Sequence, residues 1–392
     1  MPVLTRSKLK NRNVRVKKES KASSKTTRKK KKRTREPQAS SKSTPEKNTV
    51  KRKKKVRRTK MNLLKNAGKS VTKGGRGPLL LDLGRDLVSA TMICRPSKRN
   101  RSPYVADVEL EDGRVAIAHV PNLDMGGKCV KSTRMLLTAA RDRKGNLIGA
   151  NTLGKYGTPK CEFHAKLIKV KESENSNLNK DGIFVGAHPS LGEKLAKSLL
   201  EKNLIEELPP ISSVSTQVSN ICGCDMRTDF VVTHSDGSRR VIEVKQVVDT
   251  DYNSLTPPDR EKCVYFEKER PYVRTGIFPW GNSKQKGPDG ENVVSARAIK
   301  HVRELTKIAK GTVKDSEGKK LKATVLFINN REDALLFRPN DDACPSFAKY
   351  LMQARAAGVD VICRRIIWGH GGKDIGKAYD GGNVPVKIYV DC

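Results

Sequence analysis

Asp229, Glu243 and Lys245 are the residues of this chain best suited to chemistry. Each interrupts an apolar run, Asp229 just ahead of Phe230-Val231-Val232, and Glu243 and Lys245 within Val241-Ile242-Glu243-Val244-Lys245. Burying such groups is costly unless something compensates them. Two carboxylates can hold Mg²⁺ or Mn²⁺ through hard oxygen ligands, and an amine beside them can orient a water or steady developing charge. Metal-dependent phosphodiester cleavage requires such a set. Asp229, Glu243 and Lys245 are thus the candidate catalytic residues, Asp229 and Glu243 the candidate metal ligands, and nucleic acid the leading ligand. The same pattern also reads as a cross-strand ion pair on a solvated sheet face. Glu-x-Lys alone says little, because it recurs at Glu19-Ser20-Lys21 and Glu317-Gly318-Lys319. Only the copy at Glu243 lies within a β-branched stretch.

Two strands joined by a turn must position these groups. Ser235-Asp236-Gly237 supplies the turn, with Gly able to take the positive φ it needs. A three-residue loop ending in a left-handed Gly237 sets Asp229 opposite Glu243, on the face that also carries Lys245. A two-residue loop of Asp236-Gly237 instead pairs Asp229 with Val244 and sends the carboxylates to opposite faces. On the helix before the hairpin, Glu201 is a further candidate metal ligand, or a surface charge near a helix end. On a later helix, Arg297, Lys300 and His301 share one side at three- and four-residue spacing, a cationic face suited to phosphate.

Charge points the same way. There are 80 basic residues against 42 acidic ones, a formal net charge of +38. More than half of that excess falls in residues 1–60, which contain three acids, Glu19, Glu36 and Glu46, and no Phe, Tyr or Trp. Such a segment cannot bury enough surface to offset the ordering of its backbone and is expected to be disordered in isolation. Lys29-Lys30-Lys31-Lys32-Arg33 and Lys51-Arg52-Lys53-Lys54-Lys55-Val56-Arg57-Arg58 suit nuclear import and salt-sensitive phosphate binding alike. The Lys-dominated composition favours the nucleus over a mitochondrial or plastid transit peptide, which would be Arg-rich and amphipathic. Nine cysteines without zinc-ligand spacing fit a reduced intracellular protein. No stretch approaches the ~20 apolar residues of a membrane span.

Domain organisation follows from changes in pattern. Residues 1–78 form the basic arm and linker. From 79 to 180, the alternating runs at Tyr104–Leu110, Val115–Val120, Met135–Thr138 and Glu162–Val170 predict a small closed β-barrel, with His119 at its mouth able to stack on a base or contact phosphate. From 181 to 368 the order is helix, hairpin strands, helix, strand, helix, strand. That is a mixed α/β domain with the core order of the restriction-endonuclease-like fold. Residues 369–392 are a Gly-rich C-terminal extension.

Residues 79–368 resemble the sugar fermentation stimulation protein (SfsA) family. The resemblance rests on the order and spacing of Tyr104 to Gly113, Ala118-His119-Val120-Pro121-Asn122, Asn203-Leu204-Ile205 with Glu207-Leu208, and Arg227-Thr228-Asp229-Phe230. It continues through Glu243-Val244-Lys245, Ala296-Arg297 with Lys300-His301, Arg331 with Asp333-Ala334, and Ala356-Ala357-Gly358-Val359. It implies a barrel of the oligonucleotide-binding type, a nuclease-like domain carrying Asp229, Glu243 and Lys245, and DNA binding; His119, Asn122 and Arg227, within the matching segments, are candidate nucleic-acid contacts. The chain departs from the family after Asn122, where Leu123-Asp124-Met125 stands in place of a Gly-Ser-Met turn, and in a longer connection between Asp249 and Asn292. Two function classes follow, a DNA-binding protein without turnover and a metal-dependent nuclease. A basic RNA-binding protein is a third, with DNA placed ahead of RNA.

Overall fold

Short alternating strands close on themselves early in the chain. A computed structural model describes residues 76–122, 125–171, 181–255, 264–265, 271–281, 284–315 and 317–388. The basic arm, with its candidate phosphate-binding run from Lys51 to Arg58, lies outside the described residues. After β1 (Leu79–Asp82) come β2 (Leu87–Cys94), β3 (Val105–Leu110), β4 (Val115–His119), β5 (Arg134–Ala139), β6 (Phe163–Val170) and β7 (Ile183–Gly186). Strands β2 to β7 follow the order β4-β3-β2-β5-β6-β7, and β4 also pairs with β6 in parallel. Five strands therefore form a closed barrel, and β7 adds to β6. Closure removes the unpaired edges that isolated strands would expose. The interior combines small side chains such as Ala106, Ala116, Ala118 and Ala165 with larger ones such as Met92, Met135, Leu137 and Ile168.

The second part is a mixed α/β layer structure. Its strands are β8 (Ile211–Ser219), β9 (Arg227–His234), β10 (Arg239–Val247), β11 (Asp249–Thr250), β12 (Thr275–Phe278), β13 (Gln285–Lys286), β14 (Asn292–Val293), β15 (Lys322–Asn329), β16 (Leu336–Pro339), β17 (Asp360–Trp368) and β18 (Lys377–Asn383). Its helices are α1 (Ser190–Glu201), α2 (Ala296–Ala309) and α3 (Pro345–Ala356). The main sheet has the order β1-β18-β17-β15-β10-β9-β8. Its centre, β10–β15–β17, is parallel and the flanking pairs are antiparallel. Parallel strands covered on both faces read as continuous apolar runs, which is why Ala323 to Ile328 shows no alternation. Helix α1 covers one face, inserting Leu191, Leu195 and Leu199 among Phe230, Ile242 and Leu326. Helices α2 and α3 cover the other, with Val302, Leu305, Phe347 and Leu351 packed on Val231, Val241 and Phe327. Leu136, Leu167 and Phe184 of the barrel share the α1 cluster, so barrel and sheet pack through one apolar layer. No described helix is long and apolar enough to cross a membrane.

Three boundaries differ from those expected. Leu79–Asp82 is a strand of the main sheet, paired with β18, and not part of the barrel. The barrel sheet instead runs on past residue 180 through β7. The Gly-rich end is not an appendage, because Lys377–Asn383 forms β18 between β17 and β1. Glycine there permits close packing: a side chain at Gly381 would come within 2.9 Å of the Arg365 main-chain oxygen. Composition marked this segment as loop, whereas long-range strand pairing made it sheet.

The hairpin takes the three-residue form. Its pairs are Arg239↔Thr233, Arg240↔Val232, Val241↔Val231 and Ile242↔Phe230. The loop closes through Gly237 N–H donating to His234 O (2.9 Å), with Gly237 at φ 77°. No atom lies within 4 Å of a Cβ placed at Gly237, so Gly237→Ala has only backbone strain to meet. We expect a loss of about 1 kcal/mol in urea unfolding with the hairpin register retained. A neutral Ala would show that the loop relaxes out of the left-handed conformation.

Candidate functional site

The β9–β10 ladder ends where the candidate residues begin. Beyond Ile242↔Phe230 the next exchange of main-chain hydrogen bonds would join Thr228 to Val244, but side chains replace it. Val244 N–H donates to Asp229 Oδ2 (2.7 Å), and the Thr228 hydroxyl donates to Ile242 O (3.0 Å). The Asp229 carboxylate is thereby seated on the β10 backbone. On its other side Gln217, in β8 at φ 54°, donates through Nε2 to Asp229 Oδ1 (3.4 Å) and to Glu193 Oε2 (2.8 Å).

Glu243 and Lys245 occupy the face of β10 that α2 covers. One oxygen of Glu243, Oε1, receives the Lys245 ammonium and contacts His301 Nδ1 at 2.5 Å; the other, Oε2, is buried with no hydrogen-bond partner. Side-chain exposures of 3% for Glu243, 13% for Lys245 and 6% for His301 make this a buried ionic cluster and rule out a solvated ion pair. Burial raises the Asp229 pKa, and the adjacent Glu243 charge raises it further, to about 6. Burial also pushes Glu243 upward, but the His301 hydrogen bond and the Lys245 charge outweigh it and hold that carboxyl below its ordinary value. The two neighbouring carboxyls thus have their pKa values displaced in opposite directions.

Not every expected residue is here. Glu201 is half exposed at the far end of α1 and pairs with Lys197 at 3.6 Å, a surface charge and not a ligand of this pocket. Glu193, in the first turn of α1, is the α1 carboxylate that approaches Asp229, the two accepting from the same Gln217 Nε2. The available signal was Gly192, since glycine inside a helix often marks a close approach. A side chain there would meet the Gln246 Cβ at 3.2 Å, so the start of α1 is the end that lies on β10. His301 turns inward onto Glu243, so its Nδ1 does not face phosphate. Among the described residues no group of three or more His, Cys, Asp or Glu is placed to hold a metal ion.

The other cationic candidates converge. Arg227, Arg297, Lys300 and His301 line a cavity of ≈ 770 Å³ together with Lys286, Arg303 and Lys307, against the two acids Asp225 and Glu304. Lys300 pairs with Asp225 (2.6 Å) and Lys307 with Glu304 (2.7 Å). Arg227 and Arg297 have no ion-pair partner among the described residues. His301 belongs to both the cavity and the carboxylate cluster, so the two are contiguous. His119 and Asn122 lie elsewhere, at the barrel. The Asn122 carbonyl accepts from Arg95 Nη1 (2.9 Å), and His119 faces His164. The loop between Asp249 and Asn292 is pinned by Tyr272, whose hydroxyl donates to Asp251 O (2.8 Å).

Known proteins share this architecture. A family model described as the sugar fermentation stimulation protein RE domain matches residues 288–371, the segment that carries α2, β15, β16, α3 and β17. A sugar fermentation stimulation protein homolog of Nostoc sp. is 26% identical over 287 residues, covering 70% of this chain and 89% of the relative. That of Acaryochloris marina is 26% identical over 296 residues, covering 74% and 92%. Over most of its length the chain is similar to sugar fermentation stimulation proteins. The SfsA of Pyrococcus furiosus, solved in complex with Ca²⁺, has the same fold at 18% identity and a TM-score of 0.52, over 80% of this chain and 100% of that one. Within this fold, Asp229 and Glu243 come from the adjacent strands β9 and β10, and Glu193 of α1 is linked to Asp229 through Gln217.

Proposed function

We propose that the chain binds DNA, with the sugar–phosphate backbone lying along the cationic cavity of α2 and reaching the Asp229–Glu243 pair beside it. The observation that carries this reading is His301, which lines the cavity and contacts Glu243, joining a strongly positive surface to two carboxylates. Arg227 and Arg297 supply phosphate contacts there, and the basic arm adds contacts that do not depend on sequence. Glu243 Oε2, buried and unpartnered, and the carboxylate of Asp229 are hard oxygen donors that fit Mg²⁺ or Mn²⁺. The Ca²⁺ in the complex of the Pyrococcus furiosus relative is a hard cation of the same kind. Such an ion, when bound, neutralises phosphate charge and lowers the pKa of a bound water. Lys245 holds Glu243 in place and presents an ammonium to the phosphate.

A second reading, phosphodiester hydrolysis, is favoured by Lys245 lying among carboxyls whose pKa values are displaced in opposite directions. Labelled duplex DNA incubated with Mg²⁺ or Mn²⁺, beside an Asp229→Ala control, separates the two. Binding without cleavage leaves the DNA-binding reading alone, and cleavage that the control lacks adds the hydrolytic one. Arg297→Ala is expected to weaken duplex binding and to make the slope of log K against log salt shallower by roughly 1. Unchanged affinity and slope in that variant, or a preference for single-stranded RNA at matched salt, would overturn the assignment.

A further inference from the structure

Three imidazoles from three separate elements meet where the barrel abuts the start of α1. His119 ends β4, His164 lies opposite it on β6, and His188 stands just ahead of α1. Their ring centroids are separated by 5.6 Å (His119 to His164) and 6.4 Å (His164 to His188). Lys166, two residues along β6 from His164, shares its face, and Lys194 adds an ammonium from α1. The charges acting on these rings come from Arg95, Lys166 and Lys194, all basic. Among the described residues neither Lys166 nor Lys194 has a carboxylate partner.

The hydrogen-bond inventory of the cluster is one-sided. His188 Nδ1 accepts the Ser190 main-chain N–H (3.2 Å) and lies 2.7 Å from the Ser190 hydroxyl, so in the neutral ring Nε2 carries the hydrogen and is a donor. Nδ1 of His119 and of His164 are buried without partners. Burial and neighbouring positive charge lower the pKa of all three rings, that of His188 to about 4, and burial lowers that of Lys166. The rings are thereby kept neutral, and the two ammonium groups beside them, with the Nε2–H donor of His188, form a donor set that a bound anion would complete. A metal cation would meet two ammonium groups here, and the described residues contain no metal-spaced set.

We propose that His164, His188, Lys166 and Lys194, with His119 beside them, form a phosphate-binding subsite of the DNA interface. Lys194 directly follows Glu193, so the subsite and the carboxylate pocket flank one turn of α1, and a single strand can place successive phosphates at both. This rests on the DNA-binding reading for its ligand, while the anion chemistry stands by itself.

The test uses full-length protein with isotopically labelled histidine. Inorganic phosphate, added at constant ionic strength, is expected to shift the His164 and His188 resonances saturably, and Lys166→Gln to abolish the effect. In duplex-DNA anisotropy titrations, Lys166→Gln and Lys194→Gln are each expected to make the salt slope shallower by roughly 1. Lys194 is exposed, so its variant carries the test if Lys166→Gln does not fold. Rings unmoved by phosphate, rings moved by Zn²⁺ alone, or salt slopes equal to wild type would overturn the subsite while leaving DNA binding by the α2 cavity intact. If the wild type binds no DNA but phosphate still moves the rings, the anion site stands as a free-phosphate site, and its strand-anchoring role falls with the DNA-binding reading.

Discussion

Replacing Asp229 by Asn is expected to stabilise the protein at pH 7 by roughly 2 kcal/mol in the absence of divalent cations. The native carboxyl has its pKa raised from 3.8 to about 6 by burial and by the Glu243 charge. For a group whose folded pKa is raised, the stabilising contribution is present in full below the unfolded pKa and is lost as pH rises through the folded one. Between pH 4 and 6 the native protein therefore loses stability that Asp229→Asn keeps. The full shift corresponds to ~3 kcal/mol, lowered here because the side chain is partly open to solvent. Asn retains an oxygen to accept the Val244 N–H, so the splayed end of the hairpin is preserved. Adding Mn²⁺ is expected to reverse the ranking, since a cation that binds the native pair stabilises it by about 2.7 kcal/mol at a hundredfold excess over Kd, and Asn removes one ligand. Thermal or urea unfolding over pH 4–8, with and without the ion, checks both halves. An Asn variant no more stable than wild type at pH 7 would mean that burial and the Glu243 charge together do not disfavour the Asp229 carboxylate.

Glu243→Ala is expected to have the larger effect, a loss of about 3–5 kcal/mol. Lys245 and His301 share one Glu243 oxygen; His301 is buried and Lys245 is mostly so. Removing that oxygen strands an ammonium and a ring nitrogen in a largely buried setting. Glu243→Gln keeps an acceptor and is expected to cost about 1–2 kcal/mol. The contrast between the two variants in urea unfolding is the diagnostic. Alanine within 1 kcal/mol of wild type would show that Lys245 reaches solvent instead. Glu243 thus supports the fold as well as the proposed cation site, so loss of activity in Glu243→Ala alone would say little. Asp229→Asn, stable and ligand-poor, is the better test of function.

Much of this arrangement follows from local rules that the chain states for itself. Ser235-Asp236-Gly237 selects a three-residue loop because Gly237 takes a positive φ cheaply, and the period of two along each strand then carries Asp229 to the end of β9 alongside Glu243 and Lys245. The alternating runs between Tyr104 and Val170 specify strands, and the spacing of Leu191, Leu195 and Leu199 specifies a buried helical face. Packing decided the remainder. The apolar stripe of α1 is as compatible with Glu201 at the site as with Glu193, and their separation of eight positions spans about 12 Å. Only the close seat of Gly192 on Gln246 determines which end faces β9 and β10. His301 likewise shares a helical side with Arg297 and Lys300, yet it turns onto Glu243 because α2 covers a strand whose carboxylate needs a buried partner. The pairing of β1 with β18 and the meeting of His119, His164 and His188 join segments far apart in sequence. Periodicity and turn chemistry act over a few residues and settle which elements form, whereas the choice among their possible neighbours depends on which long-range contacts bury the most surface together.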